Sequence, residues 1–169
     1  MEAIETILTR RSIRKFKEVI ISDDLLEKII DCGIAAPSAR NKQPWHLIVV
    51  RKKETLKAIM EVHPYAKMLE NASLAIIICG DTIAEPELHY IPLNCAAVTQ
   101  NILLAVHALG LAGVWLGVYA RKDREEGVRK IFKLPEHIIP VSIVAIGLAD
   151  ETPDPIRRIK EGKIHYEKF

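Results

Sequence analysis

Residues 94–120 read NCAAVTQNILLAVHALGLAGVWLGVYA. From Ile102 to Ala120 the only clearly polar side chain before Tyr119 is that of His107, so length and hydropathy alone would allow a membrane span. Gly110, Gly113 and Gly117 interrupt the stretch, and its composition changes midway from Leu/Ala-rich to Val/Trp/Tyr-rich. That change predicts a buried helix over 94–109, a glycine stop, and a buried strand over 114–119, rather than a span. The helix carries Ala96, Ala97, Val98, Ile102, Leu103, Leu104 and Val106, so it is apolar all round and is expected to be buried all round. A chain of 169 residues needs a second subunit to cover one side of such a helix. His107, on that apolar helix, reads as a satisfied core histidine rather than a ligand.

On either side of this stretch, helices and strands interleave. Residues 2–9 read as a helix with Ile4, Ile7 and Leu8 on one face. Ser22, followed by Asp23 and Asp24, starts a second helix that must stop near Pro37. Residues 45–50 read as a strand and 53–62 as a surface helix. The β-branched run 73–79 reads as a strand buried on both faces. Asp123 is expected to cap a helix, with Glu126 at its third position. A last strand is expected over 141–148, and the charged tail 150–169 should be extended and peripheral. Four strands among helices make a mixed α/β or α+β sandwich in one domain spanning 1–169.

Composition narrows the function classes. The formal net charge is +2, too small for nucleic acid or an anionic membrane to be the bulk electrostatic partner. The cysteines, Cys32, Cys79 and Cys95, are odd in number and form no CxxC, so neither a disulfide framework nor a zinc site is expected. A cytoplasmic location follows, and the N-terminus shows no apolar core of a signal peptide. No GxSxG, HExxH, GxGxxG or GxxxxGK[ST] is present, and no catalytic acid, base or nucleophile is evident.

Two segments offer chemistry. The first is RRSIRKF at 10–16, where three arginines and a serine hydroxyl within five residues could grip a phosphate bidentately or could form a solvated charge run. The second is PSARNKQPW at 37–45, a polar loop stiffened by two prolines. Together, RRSIRKF and APSARNKQPWHLIVV, with LAVHALGLAGVWLGV further on and a tail carrying Arg157, Arg158 and His165, resemble the nitroreductase family in residues and in order. The resemblance implies an α+β three-layer sandwich with a central mixed sheet. It implies an interlocked homodimer with FMN bound non-covalently at the interface, and NAD(P)H as the electron donor.

By the same resemblance, Arg10, Arg11, Ser12 and Arg14 match the stretch that contacts the FMN phosphate, ribityl chain and pyrimidine edge. Pro37, Ser38, Ala39 and Asn41 match the stretch that the second subunit lays against that flavin, and Gln43 follows it. Trp115, Leu116 and Gly117 match the strand whose backbone faces flavin N5. Lys67 resembles a lysine near the N1/O2 edge. Arg157, with Arg158 as the alternative, matches the C-terminal basic residue that closes on the phosphate. The segment 80–92 is short, so a helical excursion over the pocket is missing, and Tyr90 or Leu93 could cover that side instead. Asn94 and Val118 also depart from many relatives.

The implied activity is electron transfer from NAD(P)H to nitroaromatic, quinone or similar small organic acceptors, in a ping-pong cycle. The alternatives are specialised flavin chemistry on the same fold (flavin destruction or reductive dehalogenation) and a flavin storage or sensing module. A basic module for nucleic acid is disfavoured, because the basic stretch lacks interleaved aromatics.

Overall fold

The run anticipated at 73–79 becomes strand β3, Leu74–Asp81, which is buried as far as Gly80. The computed structural model describes residues 2–154 and 158–169; Arg157 lies outside them. On one edge β3 pairs antiparallel with β2, Trp45–Val50, and on the other with β5, Ile138–Ala149. Strand β4, Ala112–Gly117, lies on the far edge of β5, and the short β1, Phe16–Lys17, pairs with the end of β5.

Alternation along β3 builds two cores. Leu74, Ile76 and Ile78 face helices α2, Asp23–Ile34, and α4, Tyr90–Ala108. Ala75, Ile77 and Cys79 face helices α3, Lys53–Val62, and α5, Lys122–Phe132. The result is three layers, with a short first helix, α1, Ala3–Thr9, laid against α4. Burial of each fully enclosed isoleucine contributes about 1.5–3 kcal/mol, so a register slip in β3 would be costly.

Local signals explain several boundaries. The Ser22 hydroxyl accepts the Leu25 N–H at 3.3 Å and starts α2. Helix α4 ends in a Schellman turn: Leu111 N–H donates to Val106 O at 2.9 Å, and Gly110 N–H to His107 O at 3.1 Å. Gly110 has φ +77°, which glycine adopts without strain. The stretch that opened as a membrane candidate is therefore helix, turn and strand. By length and composition α4 could still cross a membrane, but half of its apolar window is buried inside this fold.

Three expectations change. The sheet has five strands because the two-residue β1 is too short to read from pattern. Each strand pair is antiparallel, so the parallel component of the expected mixed sheet is a single bridge, Ser12 with Gly113. Asp123 lies in the first turn of α5 and the N-cap is Arg121, because the Glu125 carboxylate takes the Ala120 N–H at 2.6 Å and the helix begins two residues earlier. Helix α4 behaves as expected of one chain alone, which leaves one side of it uncovered: Leu93, Gln100 and Ala108 are exposed, and Ala97 and Leu104 are half-buried.

Candidate functional site

The basic strip is held by its backbone. Helix α1 stops when Arg10 turns to ψ 131°, and the chain then runs beside β4. Ile13 N–H donates to Gly113 O at 3.2 Å. Ile13 and Phe16 point into the core, and Arg14 and Lys15 between them point out. The Glu151 carboxylate accepts the N–H groups of both Arg14 and Lys15. These bonds fix the path of residues 12–15 through backbone groups rather than through the basic side chains.

Those side chains differ in their freedom. The Arg10 guanidinium is partly buried, and its Nη1 has no hydrogen-bond partner among the described residues. Burial lowers its pKa, and the charges of Arg158 and Arg11 lower it further. Like charges gathered beside an unpartnered donor make a site for an anion. Arg11 is more committed: its Nη1 donates to Leu8 O and Arg10 O, each at 2.9 Å, at the end of α1. Arg10 and Arg11 line a cavity of about 290 Å³ with Thr9, His107 and Gly113. His107 is thus not a core histidine. It is half-buried at this cavity and bonded to the Thr9 hydroxyl at 2.8 Å, because α1 covers only part of that end of α4.

The next cavity along, of about 250 Å³, is lined by Arg14, His63, Tyr65, Trp115, Leu116, Gly117 and Arg124. Arg14 also borders a depression containing Lys67 and Asn71. The structure therefore gathers Arg14, Trp115, Leu116 and Gly117 around one cavity and puts Lys67 on a second one that shares Arg14. Pairing parity decides which backbone groups are free. Val118 N–H donates to Val141 O, and Gly113 O accepts from the basic strip, so odd-numbered residues of β4 direct their N–H and C=O away from β5. Leu116 sits opposite Ile143 with its backbone in the ladder and its side chain in the core. Trp115 and Gly117 present backbone to the outer edge. A Cβ on Gly117 would meet nothing within 4 Å, so the space over it is open.

The loop 37–43 is held by side chains. Arg40, Asn41 and Gln43 have φ of 54°, 54° and 48°, a conformation that costs non-glycine residues energy. Ser38 Oγ accepts the Gln43 N–H at 2.9 Å, and Gln43 Nε2 donates to Asn41 Oδ1 at 3.2 Å. Ala39 N–H donates to Asn94 Oδ1 at 3.0 Å. Beneath the loop lies Glu85, fully buried, accepting from Lys42 Nζ at 3.1 Å and Arg40 Nη2 at 3.3 Å. Glu85 comes from the segment that looked merely short, and Asn94 had looked like a departure; the sequence carried no pattern pairing either with the loop. No residue of 37–43 lines the cavities of Arg10 or Gly117 among the described residues. Pro37, Ser38, Ala39, Asn41 and Gln43 therefore form a second group, apart from the first within one chain.

Three further residues carried no sequence signal: His63, Tyr65 and Arg124. His63 is buried, and its Nε2 donates to Gly117 O at 2.9 Å. Arg124 Nη1 donates to the same oxygen at 2.9 Å, and its guanidinium lies 5.3 Å over the Tyr65 ring. Arg158 is exposed on the tail, and its charge reaches Arg10.

Comparison with known proteins identifies relatives for this arrangement. The chain matches the nitroreductase family over residues 7–63 and 58–148. It is 44% identical to a Methanothermobacter thermautotrophicus protein named "Putative NADH dehydrogenase/NAD(P)H nitroreductase", covering all of this chain and 88% of that one. A crystal structure of a Parabacteroides distasonis protein with the same name superimposes with a TM-score of 0.94 at 38% identity, covering 99% of this chain and 98% of the other. An FMN-dependent nitroreductase from Clostridium difficile superimposes with a TM-score of 0.90 at 28% identity, covering 98% and 99%.

Proposed function

Because the chain belongs to the nitroreductase family, we propose that it is an FMN-dependent oxidoreductase that passes electrons from NAD(P)H to nitroaromatic, quinone or similar acceptors. The observation that carries this reading is the Arg10 guanidinium, partly buried, unpartnered at Nη1 among the described residues and within reach of the Arg11 and Arg158 charges. That arrangement fits a phosphate. Open space over Gly117, beside Arg14 and Lys67, fits the edge of a flat ring.

Bound FMN supplies the two-electron carrier between reduced nicotinamide and acceptor. Arg10, Ser12 and Arg158 hold the phosphate end. Arg14 and Lys67 place positive charge where the reduced ring becomes anionic. The outward N–H of Gly117 meets the N5 edge, and the exposed Trp115 flanks the same opening. Donor and acceptor using the same face of the ring in turn would make the reaction a ping-pong cycle.

The second half of each site comes from a partner copy. The exposed apolar residues Ile4, Ile7 and Leu8 of α1 and Leu93 of α4 support a homodimer, since a lone chain leaves them to water. Loop 37–43, remote from Arg10 in its own chain, then reaches the flavin of the other. The unpaired state of all three cysteines supports a reducing compartment, the cytoplasm.

Titration of the purified protein with FMN is expected to saturate at about one flavin per chain, in a dimer by sedimentation. Anaerobic NADH or NADPH should then bleach the flavin. A protein that stays colourless under saturating FMN would overturn the reading; a bound flavin that neither nucleotide bleaches would replace it with a storage role.

A further inference from the structure

Arg124 carries a charge with which no carboxylate among the described residues pairs. It lies half-buried in the first turn of α5, and its Nη1 donates to the Gly117 carbonyl at 2.9 Å. That oxygen already has a donor in the buried His63, whose Nε2 reaches it at 2.9 Å. The Arg124 guanidinium lies 5.3 Å over the exposed Tyr65 ring, a contact that fixes its plane. Its Nε is buried and has no hydrogen-bond partner among the described residues. A guanidinium withdrawn from water without a counter-ion costs stability, and a neutral donor would serve the carbonyl as well.

Strand parity places this charge. Leu116 is in the ladder with Ile143, so the Gly117 N–H, which shares a peptide with the Leu116 carbonyl, points outward. Val118 N–H donates to Val141 O, so the Gly117 carbonyl, which shares a peptide with that N–H, points outward too. Both polar groups of Gly117 therefore lie on the free edge of β4. Arg124, bound to one of them, is a neighbour of whatever meets the other. Arg14 and Arg124 both line the cavity at this edge, and no Asp or Glu does among the described residues. The acids of the same turn are engaged elsewhere: Asp123 is exposed, and Glu125 accepts the Ala120 N–H. His63 adds no charge. Its Nδ1 accepts the Tyr65 N–H at 3.3 Å while Nε2 donates, which defines a neutral ring, and burial with the Arg124 charge favours the same state.

We propose that Arg124 is a further cofactor-site residue, whose fixed guanidinium stabilises the negative charge that the flavin ring gains on reduction. The proposal rests on the FMN reading above, in which the Gly117 N–H meets the N5 edge. Hydride from C4 of reduced nicotinamide brings two electrons and one proton to N5, so a neutral ring becomes an anion and oxidised nicotinamide leaves. Arg124 joins Arg14 and Lys67 in meeting that charge. The oxidised ring is neutral and gains little from the same guanidinium.

The test measures the dissociation constants of oxidised and, under anaerobic conditions, reduced FMN, together with the flavin midpoint potential. Arg124→Gln keeps an N–H donor for the Gly117 carbonyl and removes the charge. In this variant reduced FMN should lose about tenfold more affinity than oxidised FMN, and the midpoint potential should fall by about 30 mV, the equivalent of that ratio for a two-electron couple. Arg124→Lys keeps the charge and should hold the potential near that of the wild type. A role limited to the Gly117 bond or the Tyr65 stack would change both dissociation constants equally and leave the potential in place. Arg124→Gln with a wild-type potential therefore overturns the proposal, as does Arg124→Lys with a potential as low as that of Arg124→Gln. Should Arg124→Gln fail to fold, Arg124→Met is measured in its place and decides by the same two outcomes. Either result leaves the FMN reading standing, whereas wild-type protein that binds no FMN overturns the functional reading beneath the proposal.

Discussion

Residues 10–17 and 37–43 carry most of the side chains assigned to the cofactor, and the fold holds them differently. Along 10–17 the backbone is pinned by Gly113 O, the Glu151 carboxylate and pairing with β5, while the side chains of Ile13 and Phe16 anchor it in the core. The guanidinium of Arg10 is left unsatisfied at Nη1. Along 37–43 the order reverses. Three left-handed residues are kept in place by Ser38, Asn41, Arg40 and Lys42, the last two through buried Glu85. In the strip, the assigned side chains, Arg11 apart, are mounted on a path held by other groups. In the loop, side chains assigned to the cofactor also make the path. Substitutions in the strip should therefore read as lost contacts, and those in the loop as lost shape.

The largest expected effect tests whether the two regions serve one flavin across the dimer. A chain with Arg10, Arg11 and Arg14 replaced by Ala, and a chain with loop 37–41 disabled, should each bind FMN poorly as homodimers. In a mixed dimer one site receives both lesions and the other neither, so about half of the sites should bind normally. Flavin content of purified heterodimers checks this. No recovery would mean that both regions serve a flavin within one chain.

A smaller effect separates contact from shape. Arg10→Ala should weaken FMN binding by about ten- to a hundredfold, the loss of a charge-assisted contact of about 1.5–3 kcal/mol, with little change in melting of the apo-protein. Glu85→Gln should weaken binding and also lower apo-protein melting, because the loop loses the anion that gathers Arg40 and Lys42. Equal melting in the two variants would erase the distinction.

The smallest effect is a pH dependence with two windows. Burial lowers the pKa of His63, and burial with the charges of Arg10 and Arg11 lowers that of His107. Both histidines bind protons more readily when unfolded. Apo-protein stability should therefore be full above their ordinary value of 6.5 and fall as pH drops below it. For His63 the slope should be no steeper than about 1.4 kcal/mol per pH unit. Burial alone would raise the Glu85 carboxyl, but the Glu87 N–H and the Lys42 and Arg40 charges hold it below its usual value. Its contribution is present above 4.5 and is lost as pH falls through its lowered folded value. Denaturation curves across pH, repeated with His63→Gln and Glu85→Gln, should flatten the upper and lower windows respectively.

The two regions were unequally legible. Alternation of Ile13 and Phe16 with Arg14 and Lys15 leaves a pattern in the sequence, because a strip beside a sheet repeats at close spacing. Glu85 and Asn94 leave none, since each meets the loop across more than forty residues of chain. The misplaced cap on α5 has a similar origin: Asp123 fits a capping pattern, but Glu125 folded back to Ala120 sets the start of the helix.

The sequence by itself determined the layers. Periodicity separates helix from strand, the run around Ile76–Ile78 can only be central, and Gly110 ends α4 where a left-handed residue is needed. The RRSIRKF and PSARNKQPW motifs pointed to the family before any coordinate. Only the tertiary structure decided that Gly117, and not Leu116, has backbone to offer, that His63 and Arg124 hold its carbonyl, and that Glu85 carries the loop. The reason is physical: burial preference is a property of each residue and its near neighbours, whereas the partner of a hydrogen bond depends on strand parity and on which distant helices end at the same point in space.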